Sequence, residues 1–481
     1  MKQIAFKNFR KFKDFSPIDF APITILVGEN NAGKSTVVKA ILSILDFIDT
    51  RIMFNNLIDS KELLKQYFYF NKSYFAHIGT FKRALCNKSE ETSIEFSLTA
   101  SEYKITLRIS GDANDEEAVR GRIESMKLEL LVINVEINYD FVADKLYVEF
   151  HKPDLRNIGI ISNNKQYYDS IPEKASITTT ITSQKITFGG TLLDVLFNRY
   201  TEAIEDIADN SHVNILSRYQ CNEATRYFIK NNKKTLTLGA KSSSIPLFLF
   251  FSFKENIDYI YAHAVTQTVI YNAKDTNDYF VKTIHEFASL RVEDNSKAKK
   301  FIHKWMKEFK IGQNYEIKSV GGEAHIVLIN SLDGSSVNLA DKGMGSIRLM
   351  ILLFRLATKI HQTTIGFESA RNVTIIIEEP EQNLHPTLQS KLASLFYELN
   401  KSYGFNFLIE THSEYLIRMT QLIVKKNYDT KEKLHKCPFK VYYFPSSGNP
   451  YPMVYRESGI FNNSFGTGFF DEASNLAFEL F

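Results

Sequence analysis

"ILVGENNAGKSTVVKAIL", residues 25–42, carries an apolar strand into a glycine-bearing turn and on into an amphipathic helix. The turn matches G-x-x-x-x-G-K-[ST] in full, as Gly28, Gly33, Lys34 and Ser35. Its glycines let backbone N–H groups converge on phosphate oxygens without a clashing Cβ, and the helix starting near Gly33 aims the positive end of its dipole at the same charge. In such a loop the lysine neutralises the β and γ phosphates of a nucleotide and the Ser35 hydroxyl coordinates Mg²⁺. Asn30, Asn31 and Thr36 complete the candidate cradle. A chance strand, turn and helix is the plainer alternative, and the apolar strand before and the helix after count against it.

A phosphate cradle does not hydrolyse ATP unaided, because Mg²⁺ needs a carboxylate and the attacking water needs a positioned proton acceptor. "NVTIIIEEPEQNLHP", 372–386, offers both. Its apolar run through Ile375, Ile376 and Ile377 ends in Glu378 and Glu379, and adjacent carboxylates at a strand end point to opposite sides: Glu378 toward the metal, Glu379 toward the water. An acidic turn after a buried strand is the alternative. In "LADKGMGSIRLMILLFRLA", 339–357, Gly343 and Gly345 precede an apolar helix and make a second backbone surface able to approach phosphate, with Ser346 and Arg348 as polar neighbours. Within one chain that surface is redundant; in a head-to-tail dimer it closes over the γ-phosphate held by the other copy. His412, at the end of the apolar strand in "FNFLIETHS", 405–413, is the fourth piece, although a lone histidine is more often a structural hydrogen-bonder. His385 in "NLHP" reads as a turn residue with Asn383 and Pro386.

The rest of the chain bounds these readings. Its 481 residues, 44% hydrophobic and 23% charged, suit an ordinary globular protein of two or three domains. Apolar runs such as "IPLFLFFSF", 245–253, fall well short of the roughly 20 residues a membrane span needs, so no membrane association is expected. The opening "MKQIAFKNFRKFKDF" alternates apolar and polar residues and does not read as a signal peptide. Cys86, Cys221 and Cys437 lie far apart without a CxxC pair, which argues against a zinc site and fits a reducing cytoplasm. A net charge of +3 leaves any nucleic-acid surface to a local patch, and the basic clusters at 61–74 and 423–436 are interleaved with aromatics or acids. Residues 2–9 and 22–28 read as strands joined by a turn around Pro17. From 92 to 190 the β-branched, period-2 pattern predicts antiparallel strands, from 192 to 330 helical spacing dominates, and after 335 the apolar strands predict a parallel sheet buried on both faces.

These pieces, in this order, resemble the ATPase head of the ABC-type superfamily shared by SMC, RecF and OLD-family proteins. Within it they are most similar to the AAA ATPases of the OLD-like branch and to the phage-defence ATPases of the Septu (PtuA-type) and PARIS (AriA-type) systems. The opening "IAFKNFRKFKDFSPIDFAPITILVGENNAGKST" is similar to that family's start, "EEPEQNLHP" to its Walker B and D-loop, "THS" to its switch histidine, and the tail "FGTGFFDEASNLAFELF" to an element often attached to such ATPases. The resemblance implies an α/β fold: an ABC-type P-loop head with an antiparallel β lobe and an inserted, mostly helical arm. Its expected bounds are 1–190 for the P-loop and β lobe, 191–325 for the arm and 326–481 for the remainder of the head. It also implies that Glu378 stands for the Walker B aspartate, Glu379 is the catalytic base, and Gly343 to Arg348 stand for a signature motif that departs from LSGGQ. Gln220 and Gln267 are both open as the Q-loop glutamine.

The implied function is Mg²⁺-dependent, slow ATP hydrolysis at composite sites of a homodimer or higher oligomer. That ATPase acts as sensor or regulatory scaffold of an anti-phage system, responding to DNA or a phage protein and controlling an effector encoded nearby. A RecF- or SMC-like repair ATPase that binds DNA itself is the alternative, though no sustained heptad repeat supports it. An OLD-like nuclease is disfavoured, because the 69 residues of 413–481 contain no DxD.

Overall fold

Three runs of this sequence are apolar on both faces, and a strand of that kind is stable only inside a sheet covered on both sides. They are ITILVG, VTIIIE and NFLIE, and nearly every residue in them is buried. The computed structural model describes residues 1–48, 67–71, 76, 78–100, 103–131, 135–143, 145–151, 174–180, 256–260, 271–272, 278–321, 324–331, 333–365, 373–429, 437–466 and 468–479. The chain divides into two compact units, one of residues 1–19 with 36–255 and one of residues 20–35 with 256–481.

The first unit begins with β1 (Gln3–Phe9) and β2 (Phe12–Asp19), an antiparallel hairpin. Pro17 therefore lies inside a strand and not in a turn between strands. It is tolerated because β2 is the last strand of its sheet, where a missing N–H leaves no ladder bond unmade. After β3 (Ile23–Gly28), which belongs to the second unit, α1 (Lys34–Phe47) leads back into the first. There follow β4 (Tyr67–Tyr69), the single turn α2 (Phe81–Ala84), β5 (Ser93–Thr99), β6 (Tyr103–Ser110), β7 (Arg120–Leu130), β8 (Val135–Asp140), β9 (Lys145–His151) and β10 (Lys174–Thr180). Among the described residues these form one antiparallel sheet in the order β10-β9-β8-β7-β6-β5-β1-β2, with β4 pairing β7. The period-2 pattern read between 92 and 180 is thus a β lobe. Its core is aromatic: Phe6 stacks on Phe15 at 4.1 Å between centroids, Phe9 meets Phe96 edge-on at 4.9 Å, and Phe68 lies between Phe47 and Phe96.

The second unit holds β11 (Asn256–Ile260), β12 (Tyr271–Asn272), α3 (Tyr279–Ser289), α4 (Lys297–Glu308), β13 (Asn314–Val320), β14 (Ala324–Asn330) and β15 (Ser336–Asn338). Beyond them come α5 (Met344–Thr364), β16 (Val373–Glu378), α6 (Pro386–Tyr403), β17 (Asn406–Glu410), α7 (Glu414–Asp429), β18 (Phe439–Phe444), β19 (Tyr451–Met453) and α8 (Glu472–Glu479). Its central sheet has the order β11-β16-β17-β3-β18-β19, parallel throughout except for β19 at the edge. Helices α3, α4 and α5 contribute Phe287, Trp305 and Phe354 to the same apolar core as β3, β16 and β17. The helical spacing read at 283–311 is real, but those helices pack on the sheet, while residues 191–255 of the expected arm lie outside the described residues. Among the described residues no helix is long and apolar enough to cross a membrane.

One ion pair ties these helices to the sheet. Arg355 of α5 donates through Nε to Asp258 of β11 at 2.6 Å and through a terminal nitrogen to Glu286 of α3. The Asp258 side chain is 3% exposed. Removing one partner of a buried pair leaves the other charge uncompensated. Asp258→Ala should therefore lower the unfolding free energy by about 3–5 kcal/mol, measured as a fall in urea midpoint at constant slope. A fall below about 1 kcal/mol would put the pair in the class of surface bridges that contribute little.

Candidate nucleotide site

Ligands of open α/β sheets bind at the carboxyl ends of the strands, and there β3, β16, β17 and β18 bring their last residues together. β3 ends at Gly28, whose φ of +142° favours glycine; a Cβ at this residue would lie 2.1 Å from the Phe444 carbonyl oxygen at the end of β18. The loop that follows turns left-handed at Asn31 and leaves Asn30 and Asn31 exposed. Lys34 is buried, and its Nζ donates to the carbonyls of Gly28 at 3.1 Å and Glu29 at 2.8 Å. The loop therefore wraps around its own lysine, which stands where a phosphate group would meet it. Ser35 Oγ donates to Glu410 Oε1 at 2.9 Å. Thr36, also buried, is the first residue of α1 that groups with the other unit.

Parallel pairing sets the carboxylates. β16 and β17 run in register with Glu378 opposite Glu410, and β17 pairs β3 with Glu410 opposite Leu26. Glu378 and Glu410 are 8% and 5% exposed, so two carboxylates are buried side by side. Burial, and then the charge of Glu378, hold the Glu410 carboxyl well above the usual carboxylate range, against the opposing pull of Ser35 and Lys34. Glu410 Oε2 has no hydrogen-bond partner among the described residues.

Glu379 departs from the expectation that pleating alone separates it from Glu378. β16 ends at Glu378, and Glu379 takes a left-handed conformation, φ +45°, with its N–H donating to the Glu410 carbonyl at 2.7 Å. This conformation, costly for a residue with a Cβ, swings the carboxylate out of line with the strand. There Glu379 Oε1 lies 3.8 Å from His412 Nε2, and Oε2 accepts a hydrogen bond from the Gln382 side chain. Arg348 lines a cavity of about 40 Å³ together with Glu378, Glu379 and Pro380. Burial lowers the Arg348 pKa and the Glu379 charge opposes that shift.

The turn bearing His412 is clamped on both sides. His412 N–H donates to Glu381 Oε1 at 2.6 Å, and Ser413 N–H to Thr411 Oγ1 at 3.0 Å. Ser413 Oγ accepts from Leu416 N–H at the start of α7 and donates to Gln389 Oε1 at 2.6 Å. Burial, then Lys34, lowers the His412 pKa while Glu379 raises it, so the ring is held toward the neutral form. His385 caps α6, accepting from Thr387 N–H at 3.3 Å ahead of Pro386, as a turn residue should.

The glycine-rich helix start divides its residues differently from the sequence reading. Gly343 is the exposed N-terminal cap of α5 and has no side chain to satisfy the helix N–H groups. Gly345 instead packs within the chain: a Cβ there would lie 2.5 Å from the Asn383 carbonyl oxygen. Ser346 N–H bonds back to the Gly343 carbonyl at 2.8 Å. Arg348 lines a cavity with this chain's own Glu378 and Glu379. Gln220 and Gln267 lie outside the described residues.

The structure thus gathers Lys34, Ser35, Glu378, Glu379 and His412, joined by Arg348, and adds Glu410, Glu381 and Gln382, which the sequence reading left out. The missing signal was available for Glu410. "FLIE" closes an apolar strand with an acid just as "IIIE" does, and a strand that ends beside another buried acidic terminus is worth the same attention. With oxygen donors from Ser35 and Glu378 beside a lysine in a glycine loop, the residues present fit a nucleotide and a hard divalent cation. Among the described residues no three His, Cys, Asp or Glu side chains form a metal site on their own, so such a cation depends on phosphate oxygens as well.

The chain is similar to "Endonuclease GajA" of Bacillus cereus (strain HuB5-5), 19% identical over 458 residues that take in 89% of this chain and 59% of the relative. It therefore spans about three fifths of that relative's length. Among solved structures it matches the Smc head domain with an extended coiled coil bound to the C-terminal domain of ScpA from Pyrococcus furiosus, at 10% identity and a TM-score of 0.35 over 100% of this chain and 98% of that one. It also matches the SMC head domain from Thermotoga maritima, at 10% identity and 0.33 over 94% and 98%. Scores of that size leave the fold to the strand order itself, a parallel α/β sheet with a glycine-rich phosphate-loop motif after its β3 strand. The family described as AAA ATPase domain (AAA_15) matches residues 1–417, most of the chain, and the protein belongs to that family.

Proposed function

We propose that this protein binds ATP with Mg²⁺ and hydrolyses it slowly, at sites completed by a second copy of the chain. The observation that carries this reading is the convergence of the glycine loop, Glu379 and His412 at the ends of neighbouring strands, with Glu379 Oε1 3.8 Å from His412 Nε2. Gly28, Gly33 and the backbone around Asn30 and Asn31 cradle the phosphates, and Lys34 exchanges the Gly28 and Glu29 carbonyls for phosphate oxygens. Ser35 and Glu378 hold the Mg²⁺, which when bound neutralises charge building on the β and γ phosphates. Glu379 takes the proton of the attacking water as that oxygen bonds to phosphorus and the bond to the bridging oxygen breaks. Gln382 and His412 hold the base in place from its two sides.

Closure in trans is supported by the exposed, uncapped start of α5 at Gly343, whose N–H groups suit an anion. In this reading the helix start at Gly343 caps the γ-phosphate on the partner copy, whereas Gly345 packs against Asn383 and Arg348 serves its own Glu379. We infer further that the ATPase is the sensor or regulatory scaffold of an anti-phage defence system of the OLD-like, Septu or PARIS kind. Support comes from the sequence resemblance and from GajA, a relative whose name is that of an endonuclease. Cutting or toxicity would then reside in a separate effector.

Lys34→Ala should abolish measurable ATP binding, a loss of at least about 10- to 100-fold by calorimetry, because it removes a charge-assisted contact to phosphate. Glu379→Gln should bind ATP normally, turn over roughly 10²- to 10⁴-fold more slowly, and accumulate as dimer with ATP in gel filtration; unchanged turnover would remove the base from this assignment. Co-expression with the product of the neighbouring gene, followed by native mass measurement, should recover a mixed complex. Recovery of the ATPase alone would count against a separate effector.

A further inference from the structure

We propose that Glu410 is a second carboxylate holding the divalent cation of the nucleotide, together with Ser35 and Glu378. The inference rests on the ATP reading above and extends it to a residue that reading leaves idle. Glu378 and Glu410 are register partners on adjacent parallel strands, and partners in register leave a sheet on the same side. Both are buried, and Glu410 reaches the glycine loop directly, Oε1 accepting from Ser35 Oγ at 2.9 Å.

A structural explanation would make Glu410 a lock on the helix start. It accounts for half of the side chain. A neutral acceptor, the oxygen of an amide, would take the Ser35 hydrogen bond equally well without burying a second charge beside Glu378. Glu410 instead places Oε2, with no hydrogen-bond partner among the described residues, in a site that is 5% exposed. A buried charged oxygen without a partner is unfavourable, and so is a second carboxylate next to it. A hard cation facing the pair relieves both while leaving both groups charged, its remaining positions filled by phosphate oxygens and water, the usual environment of Mg²⁺ at nucleotide sites. By accepting the Ser35 hydrogen bond on Oε1, Glu410 leaves the hydroxyl oxygen's lone pairs available to a cation.

Mn²⁺ is the probe, titrated into the full chain with bound non-hydrolysable ATP analogue and followed by electron paramagnetic resonance. Glu410→Gln preserves shape and the acceptor for Ser35 but removes the charge. It should weaken Mn²⁺ binding about 10- to 100-fold, while affinity for the analogue in EDTA stays equal or rises, since a negative charge near the phosphates is gone. Mn²⁺ affinity within two-fold of wild type would overturn the proposal. Should the amide variant fail to fold, Glu410→Asp keeps the charge but withdraws it by one methylene, and wild-type Mn²⁺ affinity there would overturn it equally. Failure of the wild-type chain to bind the analogue at all would overturn the ATP reading, and this inference with it. Loss confined to Glu378→Gln, with Glu410→Gln unaffected, would overturn the role of Glu410 alone.

Discussion

Parallel pairing of β17 with β16 on one side and β3 on the other is the constraint from which the site follows. Ladder hydrogen bonds fix register, and register fixes which side chains share a face. Because Glu378 stands opposite Glu410 and Glu410 opposite Leu26, β16 and β17 end on one line and β3 runs two residues beyond it to Gly28. A slip of one residue in β17 would send Glu410 to the other face and leave Ser35 without its acceptor. The apolar runs before those ends serve this placement as much as stability. Buried on both faces, β3 and β16 have little latitude to shift, so the polar residues at their ends inherit their precision.

Conformational strain supplies what register alone does not. Side chains of successive strand residues alternate, and alternation alone would have sent Glu379 to the face opposite Glu378. The left-handed turn at Glu379, secured by its N–H bond to the Glu410 carbonyl, brings its carboxylate to His412 instead. In the proposed reading the strained residue and the base are the same residue. Strain of this kind persists only where surrounding contacts over-determine it, and here Gln382, Glu410 and His412 all do so.

This also explains what could be read from the chain without coordinates. The glycine loop, the acidic end of "TIIIEEPE" and the histidine in "ETHS" are local patterns, each lying within ten residues of sequence, and each fell where the pattern said. The parallel character of the C-terminal strands was legible for the same reason, since burial on both faces leaves no polar alternation. Pro17 misled because proline breaks strands in general and edge strands are the exception, and no local signal says which strand is an edge. The role of Gly345 escaped because a close approach to Asn383 depends on packing between α5 and the turn before α6. Glu410 stood in plain view, yet its importance is a property of the pairing: an acid at a strand end acquires meaning from what stands opposite.

The glycine loop engages its polar side chains with groups of this same chain. Lys34 is buried on its own loop carbonyls and Ser35 is bonded to Glu410, so the two groups that would meet a nucleotide are both already satisfied within the chain. Internal partners of this kind hold the loop folded before any ligand arrives, which lowers the ordering cost of binding. They also impose competition, because a phosphate must replace two carbonyls at Lys34. In the proposed ATP reading, a triphosphate with its cation would offer more charge for that exchange than a lone phosphate does. In that reading the discrimination would need no additional residue, because it would lie in the contacts Lys34 and Ser35 make within the chain.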